Sequence, residues 1–234
     1  MRIEKDENTM NLAGKIMDFL GDSITEGVGV EDCANNRYDN IIRKKCKLKA
    51  VYNYGIGGTR IAHQSKPSDK PRYDLCFCGR AYDLNPQADI IVVYGGVNDY
   101  IHGDAPFGKI GDTTPATFCG GVEFLMRLLK ELYPDAKKIF MTPAHMQYDT
   151  LNDEKPSNRE MKRADAKPLS DYVRVIEETG KDHRIPVLNL YETLPINPNI
   201  AEHKEKYTAD GLHFNDAGHK ILADILIEFL QNEI

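Results

Sequence analysis

Short apolar segments recur along the chain and alternate with amphipathic ones, which is the pattern of a parallel β-sheet with crossover helices. We predict five strands from these segments, and the expected fold class is α/β. The predicted strands are IMDFL (16–20), AVYNY (50–54), DIIVVYG (89–95), KIFMT (138–142) and PVLNL (186–190).

The amphipathic segments between the strands predict helices. The clearest begins at Thr114-Pro115 and ends before Pro134, because its apolar residues recur at helical spacing and should lie on the sheet. A second helix, from about 168 to 179, is closed by Gly180, and the last follows a cap at Asn215. Residues 34–46 show a weaker helical pattern. The apolar face of the clearest helix consists of Phe118, Val122, Leu125, Leu129 and Leu132.

Three polar segments fit neither helix nor strand, namely 60–88, 99–113 and 143–167. Connections this long in a compact domain are either errors of assignment or functional loops, and we interpret these as functional loops. Each follows a predicted strand, so all three should lie at the carboxyl edge of the sheet, where open α/β folds bind their ligands. We therefore expect these segments to form the walls of a binding site.

Composition and charge narrow the class of protein and the choice of partner. The chain has 234 residues, of which 41% are hydrophobic and 28% charged, and this fits a single domain over residues 1–234. Residues 1–14 are predicted to form a flexible tail. The formal charge of −6 favours neither nucleic acid nor anionic lipid as a partner. The charged N-terminus does not fit a secretory signal and no apolar run is long enough for a membrane span, so we expect a cytoplasmic protein.

Cysteine and histidine usage predicts neither disulfides nor a structural metal. The cysteines are odd in number and include no Cys-x-x-Cys pair, which favours reduced thiols. Among the histidines, only His213 and His219 lie close together in sequence, and no third metal ligand stands near them. The five cysteines are Cys33, Cys46, Cys76, Cys78 and Cys119.

Polar clusters stand where the predicted strands end. GDS (21–23) follows the first strand, NYGIGG (53–58) begins at the end of the second, and GVND (96–99) follows the third. A fourth cluster, DGLH (210–213), lies between the fifth strand and the last helix. Because the carboxyl ends of parallel strands share one edge of the sheet, we expect the four clusters to converge there.

Together, these clusters hold the groups that acyl transfer requires. Ser23 supplies a hydroxyl nucleophile and His213 a base, while Asp210 is close enough in sequence to bond the other ring nitrogen and fix the tautomer. Asn98 offers a side-chain amide, and Gly58 a backbone N–H that no side chain obstructs. With the N–H of Ser23, these donors form a predicted oxyanion hole.

At these residues the sequence resembles the SGNH hydrolases, also called the GDSL esterase/lipase family. GDSITEG, NYGIGGT, GGVND and DGLHFNDAGH look like the family's four signature blocks, in the family's order across almost the whole chain. The resemblance implies a three-layer α/β/α sandwich with a five-stranded parallel sheet in flavodoxin-like order. By position it implies Ser23 as nucleophile, His213 as base and Asp210 as its partner, with Gly58 and Asn98 in the oxyanion hole.

Other interpretations of these residues are weaker. Arg60 stands where the third glycine of a dinucleotide-binding G-x-G-x-x-G loop is needed, and Ser23 lacks the G-x-S-x-G elbow of the α/β-hydrolases. We interpret Asp22 and Asp99 as acceptors of loop backbone N–H groups rather than as proton-transfer groups. Three histidines of the long segments stay unassigned: His63, His102 and His145.

The sequence therefore predicts a serine esterase that forms an acyl-enzyme on Ser23 and needs no cofactor. Polar segments such as HQSKPSDKPRYD (63–74) favour small acyl groups, acetyl above all, on a small molecule or an oligosaccharide. A lysophospholipase or thioesterase of the same family is one alternative. A non-catalytic carbohydrate-binding protein is another, although the intact set of Ser23, Asn98, Asp210 and His213 argues against it. The oligomeric state is left open.

Overall fold

In the computed structural model, residues 11–147, 149 and 167–233 are described, and their strands form one five-stranded sheet. The strands are β1 (Ile16–Gly21), β2 (Ala50–Gly55), β3 (Ile90–Tyr94), β4 (Lys137–Met141) and β5 (Val187–Leu188). Every strand pair is parallel and the order across the sheet is β2-β1-β3-β4-β5. The predicted α/β class and the flavodoxin-like strand order are confirmed.

Helices connect the strands, and most of the short ones lie next to strand ends. The described helices are α1 (Ser23–Glu26), α2 (Cys33–Asn36), α3 (Tyr38–Cys46), α4 (Phe77–Arg80), α5 (Val97–His102), α6 (Phe118–Leu132), α7 (Leu169–His183), α8 (Leu190–Thr193), α9 (Ala201–Tyr207) and α10 (Asp216–Glu233). Two turns of 3₁₀ helix, Pro71–Asp74 and Ala81–Asp83, flank α4. None of the described helices is long and apolar enough to cross a membrane.

Two apolar clusters lie on the two faces of the sheet. Met17 and Phe19 of β1 belong to the cluster that includes side chains of α3 and α10, whereas Leu20 belongs to the cluster that includes α4, α6 and α7. Successive residues of a strand point to opposite faces, so β1 contributes to both clusters. The five residues of β3 are all buried, as expected for a central parallel strand covered by helices on both sides. The sheet is therefore the middle of three layers, as predicted.

The first four strands match their predicted bounds within one residue at each end, but β5 is shorter than the predicted 186–190. Pro186 has no N–H with which to extend the ladder. The side chain of Asn189 accepts a hydrogen bond from the N–H of Glu192 (3.1 Å) and so caps α8 instead. The helix cap therefore ends the strand.

Two helix boundaries were predicted wrongly. α6 begins at Phe118, later than the predicted start, because Thr117 is the N-cap and its side chain accepts from the N–H of Gly120 (3.0 Å). Its predicted inner face is buried except for Leu132, which is 38% exposed. α7 continues through Gly180 to His183, so this glycine does not end the helix as predicted. The packing against β5 requires a glycine instead, because a Cβ at this position would lie 2.3 Å from the side chain of Val187.

The predicted tail and loops also need correction. Leu12 is buried in the core and the N–H of Gly14 donates to the carbonyl of Lys47 (3.0 Å), so the domain includes the chain from residue 11. Residues 1–10 lie outside the described residues. The predicted loop 60–88 contains α4, and the start of 99–113 belongs to α5. Residues 148 and 150–166, the greater part of the third predicted loop, are also outside the described residues, and the weak pattern at 34–46 corresponds to α2 and α3.

Candidate active site

The candidate site lies where the strand order changes direction. From β1 the chain crosses to β2 on one side, and later to β3 on the other, so the carboxyl ends of these strands diverge around a crevice. Ser23 follows β1, Gly58 follows β2 and Asn98 follows β3. These three residues and His213 line one cleft of about 480 Å³. Four of the sequence-predicted residues therefore meet at the predicted edge of the sheet.

Ser23, His213 and Asp210 are joined by two hydrogen bonds. The Oγ of Ser23 lies 2.9 Å from Nε2 of His213, and Nδ1 of the same ring lies 2.7 Å from Oδ2 of Asp210. With Asp210 ionised, Nδ1 carries the ring proton and Nε2 is left to accept the serine proton. The arrangement is that of a nucleophile, a base and an orienting carboxylate.

The turn before α10 holds Asp210 in this position. Its Oδ1 accepts from the backbone N–H groups of Leu212 (3.0 Å) and His213 (2.8 Å). Burial alone would raise the pKa of Asp210, but the hydrogen bonds from the His213 ring and from the two N–H groups outweigh it and hold the pKa below its usual range. Thr208 and Phe214 close the base of the turn as an antiparallel bridge. Asp210 is thus kept ionised beside the imidazole.

Ser23 is the first residue of α1, immediately after β1. The buried Asp22 caps this helix, accepting from the N–H of Ile24 (3.0 Å), and burial raises the pKa of Asp22 to about 6. The N–H of Ser23 belongs to the first turn, where backbone donors have no partner within the helix. The interpretation of Asp22 as a backbone acceptor is confirmed.

Gly58 and Asn98 line the same cleft as Ser23. Gly58 has a φ of +78°, and a Cβ at this position would lie 2.3 Å from the ring of Tyr73, so no other residue fits without displacing the ring. The amide nitrogen of Asn98 donates to the carbonyl of Thr59 (3.0 Å). This bond uses one of the two amide protons, and the other is available for a ligand in the cleft.

Asp99 holds the loop after β2 against α5. Its two carboxylate oxygens accept from the N–H groups of Ile61 (2.9 Å) and Ala62 (3.0 Å), and burial raises its pKa to about 7. Asp99 therefore supports the loop that carries Gly58, and its interpretation as a backbone acceptor is confirmed.

A buried arginine that no sequence pattern indicated lies beneath the site. Arg80 of α4 donates to the carbonyl of Gly21 (3.0 Å) at the end of β1, to the carbonyl of Tyr54 in β2 and to the hydroxyl of Thr59 (2.8 Å). Burial lowers the pKa of Arg80 to about 10, which leaves it a cation at neutral pH. One side chain thereby ties together the strand ends that carry Ser23 and Gly58. No motif marks it, because its partners are mainly backbone carbonyls far away in sequence.

The predicted loop 60–88 supplies one wall of the cleft, through Lys70, Arg72 and Tyr73. Arg72 is paired with Glu26 (2.6 Å), whose other carboxylate oxygen accepts from the N–H of Gly57 (2.8 Å). The positive charge of Arg72 is therefore partly neutralised by Glu26. Apolar side chains also line the cleft: Val28, Ile101 and Leu212.

The three unassigned histidines occupy different environments. His63 is exposed, and His145 pairs with Asp149 (2.6 Å) and packs on the ring of Tyr191 at a centroid distance of 3.9 Å. His102 lines the cleft and contacts Asn98. Within the described part of the chain, no three His, Cys, Asp or Glu side chains are grouped as a metal site would require.

Comparison with known proteins identifies the family and the fold. The model of the GDSL-like lipase/acylhydrolase family matches residues 19–221. No curated protein matches the sequence. A Lactobacillus plantarum protein of known crystal structure is 28% identical, with a TM-score of 0.79 over 95% of this chain and 99% of that one.

Two solved esterases share the fold at lower identity. An aryl esterase from M. smegmatis is 18% identical, with a TM-score of 0.66 over 94% of this chain and 100% of that one. A variant of an acetyl-xylooligosaccharide esterase from Geobacillus is 19% identical, with a TM-score of 0.59 over 94% of this chain and 96% of that one.

Proposed function

Because the chain belongs to the GDSL-like lipase/acylhydrolase family and is a carboxylester hydrolase, we propose that it cleaves small acyl esters through an acyl-enzyme on Ser23. The observation that carries the proposal is the pair of hydrogen bonds that joins Ser23 to His213 and His213 to Asp210 beside the cleft. A hydroxyl is a weak nucleophile at neutral pH unless a base receives its proton, and here a base lies within hydrogen-bond reach.

In the first half of the reaction, Oγ of Ser23 attacks the ester carbonyl carbon while Nε2 of His213 takes the serine proton. The carbonyl oxygen becomes an oxyanion that accepts hydrogen bonds from the N–H groups of Ser23 and Gly58 and from the amide of Asn98. When the intermediate collapses, the bond to the alkoxide leaving group breaks and His213 returns its proton to that oxygen. Asp210 stabilises the imidazolium between these two transfers.

In the second half, water replaces the alcohol. His213 accepts a proton from the water as it attacks the acyl carbon, and gives that proton to Oγ of Ser23 when the acid product leaves. The free enzyme is regenerated with no change of oxidation state, so no redox cofactor enters the proposal.

The proposed acyl group is small, with acetyl as the first choice, and the alcohol is polar, with an acetylated sugar as the preferred example. The cleft combines charged walls at Lys70 and Arg72 with a limited apolar surface, which offers little contact to a long acyl chain. The structural likeness to an acetyl-xylooligosaccharide esterase supports this choice. A lysophospholipase or thioesterase is the alternative within the family.

We further infer that the protein acts in the cytoplasm and has neither nucleic acid nor membrane as a partner. All five cysteines are unpaired, and Cys76, Cys78 and Cys119 among them are buried, which fits a reducing compartment. The net charge of −6 would oppose binding to phosphate backbones or to anionic lipid.

A fluorophosphonate probe tests the nucleophile without knowledge of the substrate. The probe needs an activated serine, and its phosphonyl oxygen occupies the oxyanion position, so one adduct should form on the peptide that contains Ser23. Mass spectrometry should find no adduct in Ser23→Ala and slow labelling in His213→Ala, with both variants folded by circular dichroism. Labelling of another serine, or none under conditions that label a known serine esterase, would favour the carbohydrate-binding alternative.

A series of nitrophenyl esters from acetyl to palmitoyl tests the acyl group. Each methylene buried in an apolar site would add about 0.8 kcal/mol of binding, and the small apolar area of the cleft can bury few of them, so kcat/KM should be maximal at acetyl to butyryl and decline by octanoyl. A steady gain up to dodecanoyl would instead favour the lysophospholipase alternative.

A further inference from the structure

The ring of His102 bridges two polar groups beside the candidate oxyanion hole. His102 lies one helical turn after Asn98 on α5, and its Nε2 is 3.0 Å from Oδ1 of Asn98. Its Nδ1 is 3.0 Å from Nη1 of Arg60. The two ring nitrogens therefore have different partners, and the chemistry of those partners determines which nitrogen carries the proton.

Arg60 settles the tautomer because a guanidinium can only donate hydrogen bonds. Nδ1 of His102 must then be the unprotonated acceptor, so the single ring proton lies on Nε2 and is donated to Oδ1 of Asn98. Burial and the neighbouring Arg60 lower the pKa of His102 to about 4, which keeps the ring neutral. Arg60 is itself fixed, since its Nη2 donates to the carbonyl of Tyr73 (3.0 Å) and to Asp74 (3.3 Å).

This tautomer fixes the orientation of the Asn98 amide. The carbonyl of Thr59 accepts only from the amide nitrogen, and the N–H of His102 donates only to the amide oxygen. Rotation of the amide by 180° would bring two acceptors together at Thr59 and two donors together at His102. In the observed orientation, the second amide proton of Asn98 stays directed away from both partners, on a residue that lines the cleft.

We propose that His102, with its tautomer set by Arg60, is a positioning residue that holds the Asn98 amide with its N–H towards the reacting carbonyl. The inference rests on the proposed function of Asn98 as an oxyanion donor. It gives a specific role to one of the histidines that sequence analysis left unassigned, and the wall residue Tyr73 is linked to the same hydrogen-bond chain through Arg60.

Kinetics of a short set of variants test this role. His102→Phe keeps a ring beside Tyr73 but removes both nitrogens, and should lower kcat about 10–100-fold with little change in KM, because only the transition state uses the amide proton. Asn98→Ala should lower kcat about 10²–10³-fold. The double variant should be no slower than Asn98→Ala alone, because His102 acts only through Asn98. His102→Gln, whose amide can donate to Asn98, should recover part of the loss.

The matched control is His63→Phe, the same substitution at an exposed histidine that does not line the cleft, and it should leave kcat and KM unchanged. The inference is overturned by a His102→Phe variant as active as wild type, or by a loss that multiplies with that of Asn98→Ala. A rise in KM alone would reassign His102 to substrate binding and would also overturn it.

Nitrogen NMR of the ¹⁵N-histidine-labelled protein tests the tautomer without any substrate. The spectrum should show a protonated Nε2 and an unprotonated Nδ1 for His102, and Arg60→Met should allow the other tautomer. A protonated Nδ1 in the wild type contradicts the inference even if the enzyme is active. Failure of Ser23 to react with the fluorophosphonate would instead contradict the proposed function, so the two failures are distinguishable.

Discussion

The Ser23 side of the site is embedded in the protein, whereas the His213 side is built from one turn near the surface. Ser23 and Asn98 are 6% and 4% exposed, and buried side chains such as Arg80 and Asp99 support them from below. The side chain of Asp210 is 53% exposed, and its hydrogen bonds go to residues two and three positions away.

The comparison shows that the residues that hold the site in place can be separated from the residues that make it reactive. The embedded side depends on contacts between distant parts of the chain. The residues that set its geometry therefore also stabilise the fold. The surface turn depends on local hydrogen bonds, so a change there should alter reactivity and leave the core intact. Substitutions on the two sides should therefore have different signatures in activity and in stability.

On the surface side, Asp210→Asn should produce the largest effect, a fall in kcat of about 10⁴-fold. The amide can donate to Nδ1 of His213 and favour the tautomer whose Nε2 carries a proton, which cannot accept one from Ser23. The free energy of unfolding should change by less than about 1 kcal/mol, because the side chain of Asp210 is half exposed and the substituted amide oxygen can still accept from the N–H groups of Leu212 and His213. Steady-state kinetics with an acetyl ester and urea unfolding measure the two quantities. A loss of kcat below tenfold would mean that Asp210 does not orient the base.

On the embedded side, Arg80→Met should lower the free energy of unfolding by about 3–5 kcal/mol. Methionine fills much of the space but cannot donate to the carbonyls of Gly21, Tyr54 and Leu75 or to the hydroxyl of Thr59. Urea unfolding monitored by circular dichroism measures the loss.

The control for Arg80 is Arg127→Met on α6, where the arginine is 43% exposed, pairs with Glu131 four residues on (3.2 Å) and lies over the ring of Phe124 (5.2 Å to the centroid). This substitution should cost less than about 1 kcal/mol, because both contacts are exposed to solvent. If Arg80→Met costs no more than its control, the embedded side does not depend on the buried arginine, and the contrast between the two sides fails.

The residues proposed for the chemistry could be predicted from sequence because each belongs to a short contiguous cluster, three of them at the ends of strands and the fourth directly before the last helix. Ser23, Gly58, Asn98 and the Asp210–His213 turn were all found this way, and the structure brings them to one edge of the sheet. Strand periodicity and the order of the clusters were sufficient, since a parallel sheet fixes which ends converge.

The supporting residues could not be found in this way. Arg80 donates to carbonyls 59 and 26 residues away, and no local pattern records such partners. The contact between His102 and Asn98 does have a local signal, because the two residues lie four positions apart on one helix. That helix was predicted as a loop after its first two residues, so the shared face was not seen. The limits of β5 and α6 were likewise set by side-chain caps at Asn189 and Thr117 that periodicity does not detect.

The smallest predicted effect concerns Asp18, a fully buried carboxyl in the strand that leads to Ser23. Its Oδ2 accepts from the N–H of Asn85 (2.6 Å), while Oδ1 has no hydrogen-bond partner among the described residues. Burial raises the pKa of Asp18 from 3.8 to about 7, so the folded protein keeps a proton that the unfolded chain has lost. The contribution of Asp18 to the free energy of unfolding therefore falls as the pH rises from about 4 to about 7.

Asp18→Asn removes this titration and resembles the protonated carboxyl in shape. The variant should match the wild type near pH 4 and be more stable above pH 7, by on the order of 1–3 kcal/mol, with urea unfolding at several pH values as the measurement. The matched control is Asp89→Asn, directly before β3, where bonds from the N–H of Ile16 at the start of β1 and from Lys15 lower the carboxyl pKa. This control should lose stability at neutral pH, and its difference from the wild type should vanish as the pH falls below the usual range of an aspartate. Two results would contradict this prediction: a change in stability with pH in the same direction for both variants, or an Asp18→Asn variant that is equally destabilised at every pH. Either result would mean that the Asp18 carboxyl is ionised in the folded protein and that the embedded side contains a buried charge.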